Sequence, residues 1–167
     1  MLIGGGKLCE FTLSRSEDVL LQSKHDVEEI SNYGAALNPV NLFWRGSKFI
    51  LGRLYLTNRR LILLPYSQSE VERAHQLQSV SYKLLDTVGF GIPKPEIQFE
   101  LDPILIRLDE IHWLNPFQRQ FKIHPTLSVA SSSGVKRFKF VPPDSPQKWA
   151  GAITEVTGCE VSDQRIA

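Results

Sequence analysis

The residue types that most often hold a metal or attack a substrate are few in this chain. There are four histidines, His25, His75, His112 and His124, and two cysteines, Cys9 and Cys159. No two histidines stand at metal-ligand spacing and neither cysteine has a histidine near it in sequence. The Gly-x-Ser-x-Gly turn of a serine nucleophile is absent. The carboxylates Glu28-Glu29 and Asp109-Glu110 are adjacent pairs, and neighbours on a strand point to opposite faces, so neither pair makes an acid/base couple. Gly4-Gly5-Gly6-Lys7 leads into Leu8, where a phosphate-binding loop needs a hydroxyl. The expectation is a protein that is not an enzyme, with no cofactor and no metal.

The chemistry that remains is that of fixed positive charge. Arg45, Lys48, Arg59 and Arg60 cluster around one β-prone stretch, and Lys136 and Arg137 lie on a later one. Arginine offers a two-pronged fork and lysine a point charge, both suited to phosphate and carboxylate. These six are the candidate anion-binding residues. Their plainer reading is a solvated turn and a charged edge strand that deters aggregation. Phe43 and Trp44, beside Arg45, suit contact with a membrane interface or a partner; they also suit packing beneath a following segment.

A chain of 167 residues fits one domain. Its formal net charge of +1 lacks the basic excess of a nucleic-acid binder. No apolar run approaches the roughly 20 residues that a membrane-spanning helix needs. The first residues lack the apolar core of a signal peptide and are expected to form a loose end. Two thiols at opposite ends suit a reducing, cytoplasmic setting, or a pair if the termini meet.

Patterning supplies the elements that would position these residues. Asp18–Gln22 suits a first strand; Val27–Ile30 extends it or forms a short helix. Residues 32–39 form a loop. From Ile50 the alternation is clear: Ile50, Gly52, Leu54 and Leu56 share one face, and Leu51, Arg53, Tyr55 and Thr57 the other. Leu61–Leu64 is apolar on both faces, as in a strand covered on both sides. Strands are expected at 104–108, 111–114, 120–123, 126–129 and 135–141, with a turn at Ser131–Gly134. Ser145 and Pro146 open a helix with Trp149, Ala152, Ile153 and Val156 on one face, and Gly158 stops it.

The run Leu51–Pro65 is two such strands joined at Thr57-Asn58-Arg59. It resembles the signature hairpin of GRAM domains, G-x-L-Y-L-T-x-x-R-L-I-F, through Gly52, Leu54, Tyr55, Leu56, Thr57, Arg60, Leu61 and Ile62. Asp109-Glu110-Ile111 resembles the turn into that family's next strand, and Trp149 the tryptophan that plugs its barrel. The resemblance implies an α+β, PH-like barrel of two near-orthogonal antiparallel sheets capped by the C-terminal α-helix. It divides the chain into an N-terminal extension (1–16), one PH-like domain (17–160) and a tail (161–167). A long insertion, 66–102, follows the hairpin and departs from the family pattern; it would serve as a packed helix, a lid or a partner-binding appendage. As a fold signature, Arg60 would hold the hairpin through a carboxylate such as Asp109.

The function expected is that of a non-catalytic adaptor, cytoplasmic and peripheral to membranes. It would recognise an acidic phospholipid head group or a protein partner. The alternative is a purely protein–protein module using a sheet edge or residues 66–102, with a regulatory subunit of an enzyme behind it.

Overall fold

The computed structural model describes residues 1–3, 8–30, 48–70, 98–99, 101–117 and 125–162. Its strands are β1 (Leu2–Ile3), β2 (Phe11–Thr12), β3 (Val19–Gln22), β4 (Val27–Glu29), β5 (Lys48–Thr57), β6 (Arg60–Pro65), β7 (Gln98–Phe99), β8 (Ile104–Arg107), β9 (Ile111–Phe117), β10 (Thr126–Ser131) and β11 (Gly134–Lys139). A helix, Pro146–Thr157, follows them. The main sheet runs β8-β6-β5-β4-β11-β10-β9, with β3 and β7 also joined to β5. Among the described strands every pairing is antiparallel except β5 with β7. The sheet is not closed; β8 and β9 are its ends. A mostly antiparallel sheet with a C-terminal helix makes this an α+β fold.

The alternation in β5 decides the layering. Ile50, Leu54 and Leu56 join Leu61, Leu63, Phe138, Phe140 and Trp149 in the main core. Tyr55 faces the other way, with Ile62, Leu64 and Leu13, in a second apolar cluster that Cys9, Phe11 and Val19 complete. This is why Leu61–Leu64 is apolar on both faces: each residue is at most 1% exposed. Burying each such side chain contributes roughly 2 kcal/mol. Residues 9–13 are the cover; of the first seven, expected as a loose end, Leu2 and Ile3 form a short strand and residues 4–7 lie outside the described residues. β1 pairs with β2, and the Cys9 N–H donates to the Pro65 carbonyl at 2.9 Å.

β3 and β4 are two halves of one bent ribbon beside β5. β3 pairs with the Tyr55–Thr57 half and β4 with the Ile50–Gly52 half. So Val27–Glu29 extends the strand rather than forming a helix. Asp144, buried just ahead of the C-terminal helix, accepts the Lys24 and His25 N–H groups at 2.8 and 2.9 Å and pins the bend. Gly52 sits where β6 crosses most closely; a Cβ there would lie 1.8 Å from the Leu64 carbonyl oxygen.

The helix is punctuated as its sequence indicates. The Ser145 hydroxyl accepts the Lys148 N–H, Pro146 opens the first turn, and Gly158 closes the helix at φ 69°. Trp149 is fully buried and stacks on Phe140 at 5.9 Å. The buried face is Trp149, Ala150 and Ile153, and Val156 is 41% exposed. The expected i+7 position has turned away because the helix has passed the edge of the core. Of the expected insertion, residues 71–97 and residue 100 lie outside the described residues, as does the strand expected at 120–123. Among the described residues no helix is long and apolar enough to cross a membrane.

Candidate functional site

The hairpin corner is built around the Thr57 hydroxyl. It accepts the N–H groups of Arg59 and Arg60 at 3.2 and 3.0 Å and lies 2.9 Å from Glu17 Oε1. A single small hydroxyl thus satisfies the backbone of a tight turn that would otherwise present bare donors. Asn58 serves through its side chain: Nδ2 donates to the Ser16 carbonyl and Oδ1 accepts the Asp18 N–H, both at 3.1 Å. The corner is therefore stitched to residues 16–18, roughly forty positions earlier.

Glu17 and Arg60 form the strongest polar contact here. The guanidinium donates from Nε to Oε1 and from its terminal nitrogen to Oε2, each at 2.7 Å. The Glu17 side chain is completely buried. Its second oxygen also accepts the Ser14 N–H at 3.1 Å. The Arg60 fork, helped by the Ser14 N–H and Thr57 hydroxyl, outweighs burial and lowers the Glu17 pKa from 4.5 to about 2. The other face of the guanidinium lies 5.0 Å above the Phe11 ring, an arrangement favourable to a cation. Arg60 is thus a structural ion pair rather than a free anion ligand. Its carboxylate is Glu17, not Asp109; Asp109 is engaged by Arg107 at 3.0 Å.

Beside the corner lies an open groove of about 600 Å³. Arg59, Arg60 and Arg107 line it against Glu17 and Asp109, with Ser14, Asn58 and Leu108 between and Val156-Thr157 at the rim. Two of the three cations are neutralised in place. The helix C-terminus at the rim adds partial negative charge. Arg59 is exposed, donates to the Ser16 hydroxyl and has no carboxylate partner among the described residues.

The other expected site residues do not converge on this corner. Arg45, Phe43 and Trp44 lie outside the described residues. Lys48 begins the ten-residue strand whose far end leads into Arg59, roughly 30 Å away at the usual rise per residue. Lys136 and Arg137 stand on β11 opposite Val129 and Ser128; as neighbours on a strand they face opposite sides. Arg53 is bonded to Asp26 at 3.1 Å, and Lys139 to Glu28 at 2.7 Å. The sequence reading missed Glu17, Ser14 and Arg107. Only the pairing of Arg107 with Arg60 across β6 and β8 brings that arginine here, and no local pattern announces it.

The groups first considered for catalysis are placed as follows. His112 is exposed, with Nε2 at 3.5 Å from the Ser132 hydroxyl. His75 and His124 lie outside the described residues. Burial raises the pKa of both Cys9 and Cys159, which keeps them as thiols. Among the described residues no three His, Cys, Asp or Glu side chains gather as a metal site.

Fold and corner together define an α+β module whose best-organised polar groups hold backbone in place. Beyond that class no family follows: comparison with protein-family models, with curated proteins and with solved structures gives no match to this chain.

Proposed function

We propose that this chain is a non-catalytic binding module of the PH-like, GRAM-related kind, a cytoplasmic adaptor that meets an acidic membrane surface at its hairpin corner. The PH-like reading is supported by the bent β3–β4 ribbon shared between two antiparallel runs, and by a late helix whose tryptophan fills the core between them. The GRAM reading is supported by what its signature residues do. Gly52 permits the β5–β6 crossing, Thr57 satisfies the turn, and Arg60 locks it to Glu17. The observation that carries the binding site is Arg59: exposed, on a rigid corner, at the mouth of an open groove, without a carboxylate partner among the described residues.

One cation near an anionic surface contributes about 1 kcal/mol, so attachment by this corner is weak and reversible. The test is co-sedimentation with neutral and anionic vesicles at low and high salt, using the wild type, Arg59→Ala and Lys48→Ala. Arg60 is left intact because its removal would disturb the fold. The expected result is binding to anionic vesicles only. It should fade with salt as screening shortens to about 3 Å at 1 M, and drop about fivefold in Arg59→Ala at an unchanged melting temperature. Lys48, at the far end of β5, cannot share that contact. Binding lost in Lys48→Ala but retained in Arg59→Ala would remove the corner from consideration, and no binding to any vesicle would end the lipid reading.

A further inference from the structure

The groove beside the hairpin corner is electrically divided. Among the described residues its guanidinium groups, Arg59, Arg60 and Arg107, meet as many carboxylates, Glu17, Asp109 and, behind Arg107, Glu110. The charges balance in sum but not in place. Arg60 and Glu17 satisfy each other at one wall. Arg59 donates only to the neutral Ser16 hydroxyl and gives one end of the groove a full positive charge. At the other end a single cation serves two acids: Arg107 donates to Asp109 at 3.0 Å, and its Nε lies 3.8 Å from Glu110 Oε1. That end keeps an excess of negative charge.

The C-terminal helix deepens the asymmetry. It packs against the turn Leu108–Glu110, and its last turn holds no basic residue. Its final carbonyls add partial negative charge beside Asp109, and Glu155 stands exposed in the same turn. On the loop beside Arg59, the exposed Arg15 and Asp18 carry opposite charges and offset each other. The two ends of the groove are close together. The Leu108 N–H donates to the Arg59 carbonyl at 3.0 Å, so Arg59 and Asp109 flank one hydrogen bond. A ligand with several negative charges finds one free guanidinium here and is opposed by the acids. A ligand with only a positive charge is opposed by Arg59. The arrangement matches an anion that carries its own cation a few atoms away.

We propose that the groove takes an acidic group bearing a primary ammonium, with its phosphate at Arg59 and its ammonium at Asp109. This deepens the membrane-binding reading of the corner and rests on it: Arg59 supplies the attraction, and Asp109 sets which acidic head groups are preferred. The guanidinium fork suits phosphate. The ammonium has several N–H donors to divide between the Asp109 carboxylate and the helix carbonyls. The Arg107 and Asp109 side chains are 67% and 63% exposed, so Asp109 has room to accept a second donor without releasing the first. The gain is that of an exposed ion pair, about threefold in affinity.

The experiment pairs vesicles of equal surface charge. Phosphatidylserine carries the ammonium and phosphatidylglycerol does not; each is mixed at the same molar fraction into phosphatidylcholine. The full chain should bind the serine vesicles about threefold more tightly. In Asp109→Asn that preference should vanish while binding to the glycerol vesicles rises, because a like charge has left the groove. A merely structural Asp109 would change binding to both vesicles alike. Arg59→Ala should weaken both. Equal binding of the wild type to the two vesicles overturns the proposal and leaves the membrane reading standing. A preference that survives Asp109→Asn also overturns it. No binding to either vesicle ends the lipid reading, and soluble probes then decide. O-phosphoserine should shift the Asn58, Arg59 and Asp109 amide resonances at concentrations where glycerol phosphate, which lacks the ammonium, does not; an equal response, or none, overturns the proposal. Should Asp109→Asn lose its melting transition, Glu110→Gln is read in its place, and an undiminished preference there counts against the proposal.

Discussion

Glu17 and Arg60 set the acid sensitivity of the corner. The pKa of Glu17 is lower in the folded chain than its ordinary 4.5, at about 2. Its ionised form therefore stabilises the fold fully above about pH 4.5, and the contribution drains away as pH falls towards 2. A shift of this size corresponds to about 3 kcal/mol. Glu17→Gln should lose about 3 kcal/mol in urea unfolding at pH 7, because it leaves a largely enclosed guanidinium without its carboxylate. The variant should also show a flatter stability profile between pH 4.5 and 2 than the wild type. A Gln variant as acid-sensitive as the wild type would mean that another carboxylate governs that range. The site was legible in part: the sequence marked Arg60 as a residue that holds the hairpin through an acid. It did not mark which acid, because Glu17 lies 43 positions away and is joined to the corner only once β3 has paired with β5.

At the scale of elements, two glycines separate packing from propensity. A Cβ on Gly52 would stand 1.8 Å from the Leu64 carbonyl oxygen, where real contacts stay beyond 3.0 Å. That oxygen belongs to the ladder between β5 and β6 and cannot move without breaking it. Gly52→Ala should cost at least about 3 kcal/mol, in the range of severe overpacking, or prevent folding. A Cβ on Gly151, within the C-terminal helix, would meet nothing within 4 Å. Gly151→Ala should raise stability by roughly 0.5–1 kcal/mol through helix propensity alone. Thermal unfolding of the two variants side by side checks both signs. Elements with a complete local signal were readable beforehand: the alternation of β5, the continuous apolar run of β6 and the helix with its Ser145, Pro146 and Gly158 punctuation. The bend between β3 and β4 was not, because Asp144, which accepts its N–H groups, is about 120 residues away in sequence.

For the molecule as a whole, the least legible feature is that the main sheet has two apolar faces. Leu61–Leu64 signalled cover on both sides, yet the cover is Cys9, Phe11 and Leu13, a segment too short and too mixed to be recognised as an element. Such pieces acquire structure only from the surface that receives them; β2 has two residues and, among the described residues, pairs with β1 alone. The second cluster then ties the N-terminus to the hairpin and, through Phe11 beneath Arg60, to the corner itself. If residues 8–13 are part of the cooperative fold, Leu13→Ala should lose about 2–4 kcal/mol, the range for a leucine removed from a packed core. A dispensable extension would lose almost nothing. Native-state hydrogen exchange supplies the sharper test. The Cys9 amide, bonded to the Pro65 carbonyl, and the Leu13 amide, bonded to the Met1 carbonyl, report the segment directly. Exchange of Cys9 at the rate of the β5–β6 amides means that the cover opens only with the whole molecule. Exchange faster by several kcal/mol of protection means that it opens by itself, exposing Tyr55, Ile62 and Leu64 and loosening the support beneath Arg60 before the sheet gives way.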